Sequence, residues 1–201
     1  ANLISPFAGN RWALTVAESH QPYFSDWLAQ FGREYIILTF LGAVVLFYET
    51  FKSLGKRIYG LVIAYVFLLL GISLNRYSGS AVFFNGETNL SILVYLGSIL
   101  LFFLYSLYFF YRLYTKEPEV YHTFLSQFPY RYLLVSILFF FLLLGARSAV
   151  RLLFVFAPGT VILVAFFVFA LVDYSRRISF KAFGYGICLL VGIFMVVLLY
   201  G

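Results

Sequence analysis

The sequence has few charged residues and only one cysteine. Asp, Glu, Lys and Arg make up 11% of its 201 residues and hydrophobic residues 63%, whereas an ordinary soluble domain is about 25% charged. A soluble globule of this size could not hide so much apolar surface, and the 26 Phe and 17 Tyr exclude a disordered chain. The lone Cys188 excludes an internal disulfide framework and a cysteine-based zinc site. The composition therefore predicts a polytopic membrane protein.

The net charge of +6 does not indicate nucleic-acid binding. The basic residues are scattered in short clusters between apolar runs, as topology signals are. The sequence also lacks a Gly-rich phosphate loop, a Walker pattern and an HExxH motif. Polar residues interrupt the N-terminal segment, so it is not a signal peptide. The chain begins in the middle of a loop, and we expect it to be part of a longer protein.

Six apolar runs predict an all-α bundle of about six transmembrane helices. Each run is close to the roughly 20 residues that a helix needs to cross a bilayer, and none alternates as a barrel strand would. Residues 1–34 are predicted to form an extracytoplasmic loop and residues 35–201 the bundle, with an additional hairpin near 75–130. The runs cover 35–51, 58–74, 90–111, 131–146, 150–172 and 180–200.

The distribution of lysine and arginine predicts which ends face the cytoplasm. Nine of the 14 fall in the segments 52–57, 112–131 and 173–181. Because cytoplasmic loops are enriched in basic residues, we place these three segments inside. The N-terminal loop, the 75–89 loop and the connection near 147–151 then share the outside face.

Two features could carry chemistry on that face. Glu18 stands in the N-terminal polar loop, where a carboxylate can accept hydrogen bonds from an amide or bind Mn²⁺ or Mg²⁺; a solvated loop charge is the simpler alternative. Arg147 and Arg151 are spaced i, i+4, which would place both on one helix face. They are either helix-end residues that snorkel to the interface or a clamp for a phosphate group.

The N-terminal loop resembles a known motif. Thr15-Val-Ala-Glu18, followed by Gln21-Pro22 and Ser25-Asp26-Trp27, is similar to the fifth outer loop of oligosaccharyltransferase catalytic subunits, the membrane enzymes of asparagine-linked glycosylation. That loop carries Thr-Ile-x-Glu or a close variant and then Gln-Pro. The preceding Ile4–Arg11 is similar to the family's approach to the motif, and Ala149–Pro158 resembles its Arg-containing helix start. The two matches occur in the family's order.

The resemblance implies a fold and a role for individual residues. The chain would be the second half of a GT-C-type membrane domain, of the single-subunit archaeal or bacterial kind. Glu18 would contact the acceptor asparagine's amide and help to line a Mn²⁺ or Mg²⁺ site whose other ligands lie outside this chain. Thr15 and Val16 would support the acceptor peptide. Arg151 would bind the pyrophosphate of the lipid-linked oligosaccharide. Arg147 has no counterpart in the family, and only its i, i+4 spacing makes it a second candidate.

The sequence also departs from the family pattern. Ser19 separates Glu18 from His20, where many relatives have His or Gln directly, and the segment near 75–130 is absent from shorter members. The family's first outer loop, with its metal-binding aspartate, would precede residue 1. Its soluble domain with a Trp-Trp-Asp signature would follow residue 201.

These features predict part of a glycosyltransferase. It would be a multi-pass membrane protein, in the cell membrane of a prokaryote, with an extracytoplasmic active face. It would transfer a glycan from a polyprenyl pyrophosphate to Asn in Asn-x-Ser/Thr, and the isolated chain would be inactive because the metal-binding aspartates are absent. One alternative is another GT-C transferase that uses a lipid-phosphate sugar. A second is a transporter or flippase for a polyprenyl pyrophosphate lipid.

Overall fold

The structure, a computed structural model, describes residues 21–177 and Gly186. Residues 21–177 form seven α-helices, joined by loops and two short 3₁₀ turns, and no strand. This confirms the all-α prediction for the described part of the chain. The predicted run 180–200 lies outside the described residues apart from Gly186. The helices are α1 (Phe24–Phe31), α2 (Arg33–Phe51), α3 (Ile58–Leu74), α4 (Asn89–Lys116), α5 (Pro118–Ser126), α6 (Tyr130–Ser148) and α7 (Leu153–Arg177).

Within residues 21–177, four stretches are long and apolar enough to cross a membrane. They are Arg33–Leu74, Asn89–Lys116, Tyr130–Ser148 and Val150–Arg176. The first has 42 residues because it contains both α2 and α3. The five long helices therefore correspond to the first five apolar runs of the sequence.

A sharp turn joins α2 to α3. The connection is a six-residue 3₁₀ segment, Lys52–Arg57, in which Gly55 has φ 62° and ψ −137°. Glycine adopts this positive φ without the steric cost that a side chain imposes. The two helices consequently run antiparallel. The start of α1 therefore lies beside the end of α3, where the Phe24 amide donates to the Arg76 carbonyl at 2.8 Å.

Helix α2 is the centre of the bundle and packs against α3, α6 and α7. Its backbone approaches that of α7 closely at Gly42, where a Cβ atom would lie 2.8 Å from the carbonyl carbon of Leu163. Helix α4 lies at the periphery, packed mainly against α3. Large apolar side chains on the outside of the bundle, such as Leu101 at 68% and Phe169 at 74% exposure, would be unfavourable in water and suit contact with lipid.

We expect Gly42→Ala to destabilise the bundle. The added methyl group would meet main-chain atoms, which cannot rotate away, so the cost should be that of overpacking, about 1–3 kcal/mol. Gly97→Ala on α4 is the matched control, because nothing lies within 4 Å of its added Cβ. Thermal unfolding in one detergent checks the pair, and equal midpoints for the two variants would contradict the close α2–α7 contact.

The two ends of the bundle differ in charge pairing. We call the end that carries Gln21, Asn75 and Arg147 the motif end. At the opposite end Lys52 pairs with Glu49, and Arg57 on the α2–α3 connection pairs with Glu117. Helix α5 also lies at that opposite end, against the 3₁₀ connection.

One part of the predicted N-terminal loop is helical. Residues 24–31 form α1, since Phe24, Trp27, Leu28 and Phe31 recur at helical spacing and pack on the core. The Asp26 carboxylate accepts from the Tyr23 amide at 2.8 Å, as in a capping box. The loop prediction was therefore wrong for these residues, because short polar interruptions hid an amphipathic pattern.

Candidate functional site

The predicted acceptor-site residues precede the described part of the chain. Thr15, Val16 and Glu18 lie outside it, so their predicted roles stay predictions. The first described residue, Gln21, follows Glu18 by three positions.

The 75–88 loop holds the segment that follows the motif. The amides of Phe24 and Ser25 donate to the carbonyls of Arg76 and Tyr77 at 2.8 and 3.0 Å. The Arg76 side chain donates from Nη1 to Gln21 Oε1 at 3.0 Å. Its guanidinium also lies over the Tyr23 ring, with Cζ 4.6 Å from the ring centroid.

A turn gives this loop its shape. Tyr77 donates from its amide to the Phe84 carbonyl at 2.8 Å, and Arg76 forms an isolated antiparallel bridge with Asn85. Gly86 has φ 84°, and a Cβ atom there would lie 2.7 Å from Arg76 Cγ. The loop therefore folds back beside Arg76, whose side chain lies against the segment that follows the motif.

Arg147 is buried at the end of α6, with 6% of its surface exposed. Its Nε donates to Oδ1 of the fully buried Asn75 at 3.2 Å. Its Cζ lies 4.2 Å from the centroid of the Tyr95 ring on α4. Arg147 is thus held between α3 and α4 and does not snorkel outward.

Arg151 has a different environment. Ala149 is extended, with φ −156° and ψ 140°, and Val150–Leu152 form a 3₁₀ turn before α7 begins. The break between α6 and α7 separates the two arginines, so the prediction that i, i+4 spacing places them on one helix face was wrong. Arg151 is exposed, and its side chain has no ion-pair partner among the described residues.

A short chain of contacts joins these residues at the motif end. The Gln21 side chain accepts a hydrogen bond from Arg76. Asn75, the residue before Arg76, accepts one from Arg147. Arg151 follows Arg147 by four residues. The Coulomb interaction between Arg76 and Arg147 is repulsive. Neither these two nor Arg151 forms an ion pair with any described carboxylate. These three arginines therefore keep their positive charge unpaired among the described residues and are suited to an anion.

A metal site does not form from the described residues alone. No group of three or more His, Cys, Asp or Glu side chains lies together within residues 21–177. The arginine-rich rim itself does not fit a divalent cation. Glu18, the predicted ligand, lies outside the described range, and the Mn²⁺ or Mg²⁺ site stays a prediction.

Sequence reasoning missed Asn75 and Tyr95 as parts of the site. Asn75 directly follows a 17-residue apolar helix yet is fully buried. A polar side chain at the end of an apolar run, next to an arginine, is a usable signal, because a buried amide needs a partner. Tyr95 gives no such signal, since 17 tyrosines are spread over the chain.

Comparison of the chain with protein-family models, curated proteins and solved structures gives no match. The functional argument therefore depends on the residues and on their arrangement.

Proposed function

We propose that this chain is part of a membrane oligosaccharyltransferase with its active site at the motif end. The donor would be a glycan on a polyprenyl pyrophosphate, and the acceptor would be Asn in Asn-x-Ser/Thr. Glu18 would orient the acceptor amide, Thr15 and Val16 would support the peptide, and Arg151 would bind the donor pyrophosphate. The motif end would face the extracytoplasmic side.

One observation carries the proposal. Gln21, which ends the motif segment, is joined through Arg76 and Asn75 to Arg147 at the end of α6. The segment that follows Glu18 and the end of α6, four residues before Arg151, thus meet at one end of the bundle although they are 126 residues apart in sequence. An exposed Arg151 at that end is free to meet a lipid headgroup at the membrane surface.

The proposed chemistry needs a carboxylate and a cation on opposite sides of the reacting bond. The acceptor nitrogen forms a bond to the anomeric carbon of the first sugar, and the bond from that carbon to the pyrophosphate oxygen breaks. The nitrogen gives up a proton to water, and the pyrophosphate leaves with the electron pair of the broken bond and so gains negative charge. A guanidinium binds two phosphate oxygens at once and offsets that charge. A divalent ion, held by Glu18 and ligands beyond this chain, would supply further positive charge.

Neither alternative is favoured by an observation in the described residues. A transporter would place polar groups near the middle of the membrane, often on broken helices, whereas Arg76, Arg147 and Arg151 lie at one end of the bundle. A transferase that acts on a hydroxyl group would use the same rim. The acceptor therefore has to be identified by assay.

A peptide glycosylation assay tests the proposal. It uses the complete protein that the gene encodes, in nanodiscs with a lipid-linked oligosaccharide and Mn²⁺. We expect a fluorescent Asn-x-Thr peptide to be glycosylated, and the same peptide with Gln for Asn to remain unmodified. Transfer to a lipid or sugar hydroxyl in place of the peptide would favour the GT-C alternative. Lipid movement across the bilayer without transfer would contradict the proposal.

A further inference from the structure

The buried Arg147 has no counterion among the described residues. Its Nε is bonded to a neutral amide and its face covers an aromatic ring, while its two terminal nitrogens have no hydrogen-bond partner among residues 21–177. A buried guanidinium needs a paired anion to offset the loss of hydration. The described neighbours of Arg147 provide only neutral groups and a second cation.

That second cation is Arg76. Its Nη1 is used by Gln21, but its Nε is buried without a hydrogen-bond partner. Its repulsion of Arg147 makes an anion between them more favourable. The nearby Asp26 carboxylate already accepts from the Tyr23 amide. The pair therefore has the charge and the unused donors to bind a phosphate group.

An apolar groove lies deeper in the bundle on the same three helices. It has a volume of about 230 Å³, and its lining includes Leu68 of α3, Phe102 of α4 and Phe140 of α6. These residues lie seven positions from Asn75, Tyr95 and Arg147 respectively, which is about 10 Å along each helix. The groove therefore begins about 10 Å deeper in the bundle than the two arginines and extends toward the opposite end.

The groove opens sideways toward the membrane. Helix α4 packs on α3, and α6 packs on α2, but α4 and α6 do not pack extensively against each other. Phe103 and Ile137, on the two sides of this gap, are 50% and 47% exposed. At the motif end the contact of Arg147 with Tyr95 bridges the same gap. A lipid with an acyl chain in the groove would thus contact the bilayer, and its headgroup, about 10 Å nearer the motif end, would lie at the arginines.

We propose that this is a binding site for an anionic phospholipid of the surrounding bilayer, with its phosphate at Arg147 and Arg76 and an acyl chain in the groove. A soluble anion would leave the groove empty. The glycan donor is assigned to Arg151, which lies beyond the helix break and is exposed. The site does not depend on the proposed transferase activity, and it gives the 75–130 hairpin a role in binding lipid.

Asn75→Asp gives a sharp test because it supplies the missing anion within the protein. Its carboxylate would occupy the place of Oδ1, 3.2 Å from Arg147 Nε, and should preserve the fold. The full chain is purified from bilayers of phosphatidylglycerol and phosphatidylcholine, and co-purified lipid is measured by mass spectrometry. We expect the wild type to retain phosphatidylglycerol selectively, and Asn75→Asp and Arg147→Gln to lower that retention about tenfold, the loss of one charge-assisted interaction.

Two further variants separate the headgroup from the chain. Ser106→Phe fills the groove, and it loses no hydrogen bond because the buried Ser106 Oγ has no partner; retention should fall although both arginines remain. Arg33→Gln, at an exposed arginine of the motif end, should leave retention unchanged.

Unchanged phosphatidylglycerol retention in Asn75→Asp and Arg147→Gln would overturn the proposal. A wild type that retains the two phospholipids in their bilayer ratio would do the same. A final experiment adds polyprenyl phosphate as a competitor of phosphatidylglycerol. If it replaces phosphatidylglycerol in an Arg147-dependent manner, the site belongs to the donor and the assignment to a bilayer lipid is wrong.

Discussion

Glu18→Gln in the complete protein is expected to lower glycan transfer by at least about a hundredfold, the loss typical of removing one preorganised polar group from an active site. Glutamine keeps the shape of the side chain but loses the negative charge that would orient the acceptor amide. Because the bonds of Gln21, Phe24 and Ser25 to the 75–88 loop lie outside the motif, the fold should be unaffected. The effect should therefore appear in kcat and leave the donor lipid bound.

Glu87→Gln is the matched control for this prediction. Glu87 is an exposed carboxylate in the loop at the same end, and its side chain forms no ion pair with the described residues. Initial rates of peptide glycosylation and equilibrium donor binding should be measured for both variants. An unimpaired Glu18→Gln enzyme would remove the main argument for a transferase. Loss of donor binding alone would instead indicate that Glu18 serves the lipid.

Arg151→Gln is expected to lower kcat/KM for the lipid-linked donor about 10- to 100-fold. This is the range for one or two charge-assisted hydrogen bonds. Arg151 is exposed and makes no described ion pair, so its replacement should not change thermal stability. Lysine should restore only part of the activity, because an ammonium group cannot bind two phosphate oxygens with the planar geometry of a guanidinium.

Arg33→Gln serves as the charge-matched control for Arg151. Arg33 is also exposed and begins α2 at the motif end, so both changes remove one positive charge from the same rim. Equal losses in the two variants would mean that only the overall potential matters, and would contradict a specific clamp at Arg151. A loss confined to Arg151→Gln would support it.

The sequence predicted the long helices well because their signal depends on length and hydrophobicity alone. The runs 58–74 and 131–146 match α3 (Ile58–Leu74) and α6 (Tyr130–Ser148) within two residues at each end. In a bilayer, every backbone polar group must be bonded within its own segment. An apolar run in a bilayer therefore forms a helix whatever it packs against.

The site could be predicted only in part. Spacing suggested that Arg147 and Arg151 share a face, but the extended Ala149 interrupts the helix between them. The pairing of Arg147 with Asn75 spans 72 residues and has no local signature. The sequence shows Arg76 only as a charged residue in a loop. Its contacts with Gln21 and Tyr23 form only in the folded chain.

The most direct test of the account is the distance between positions 18 and 151. With Cys188 replaced by Ser, spin labels at Glu18→Cys and Arg151→Cys can be measured by pulsed electron spin resonance in nanodiscs. A second pair, positions 18 and 56, spans the bundle, because Lys56 precedes the 17-residue α3, which is about 25 Å long. The account predicts that the 18–151 distance is clearly shorter than the 18–56 distance. An 18–151 distance as long as the control would place the carboxylate and the guanidinium at opposite ends and would contradict the proposed active site.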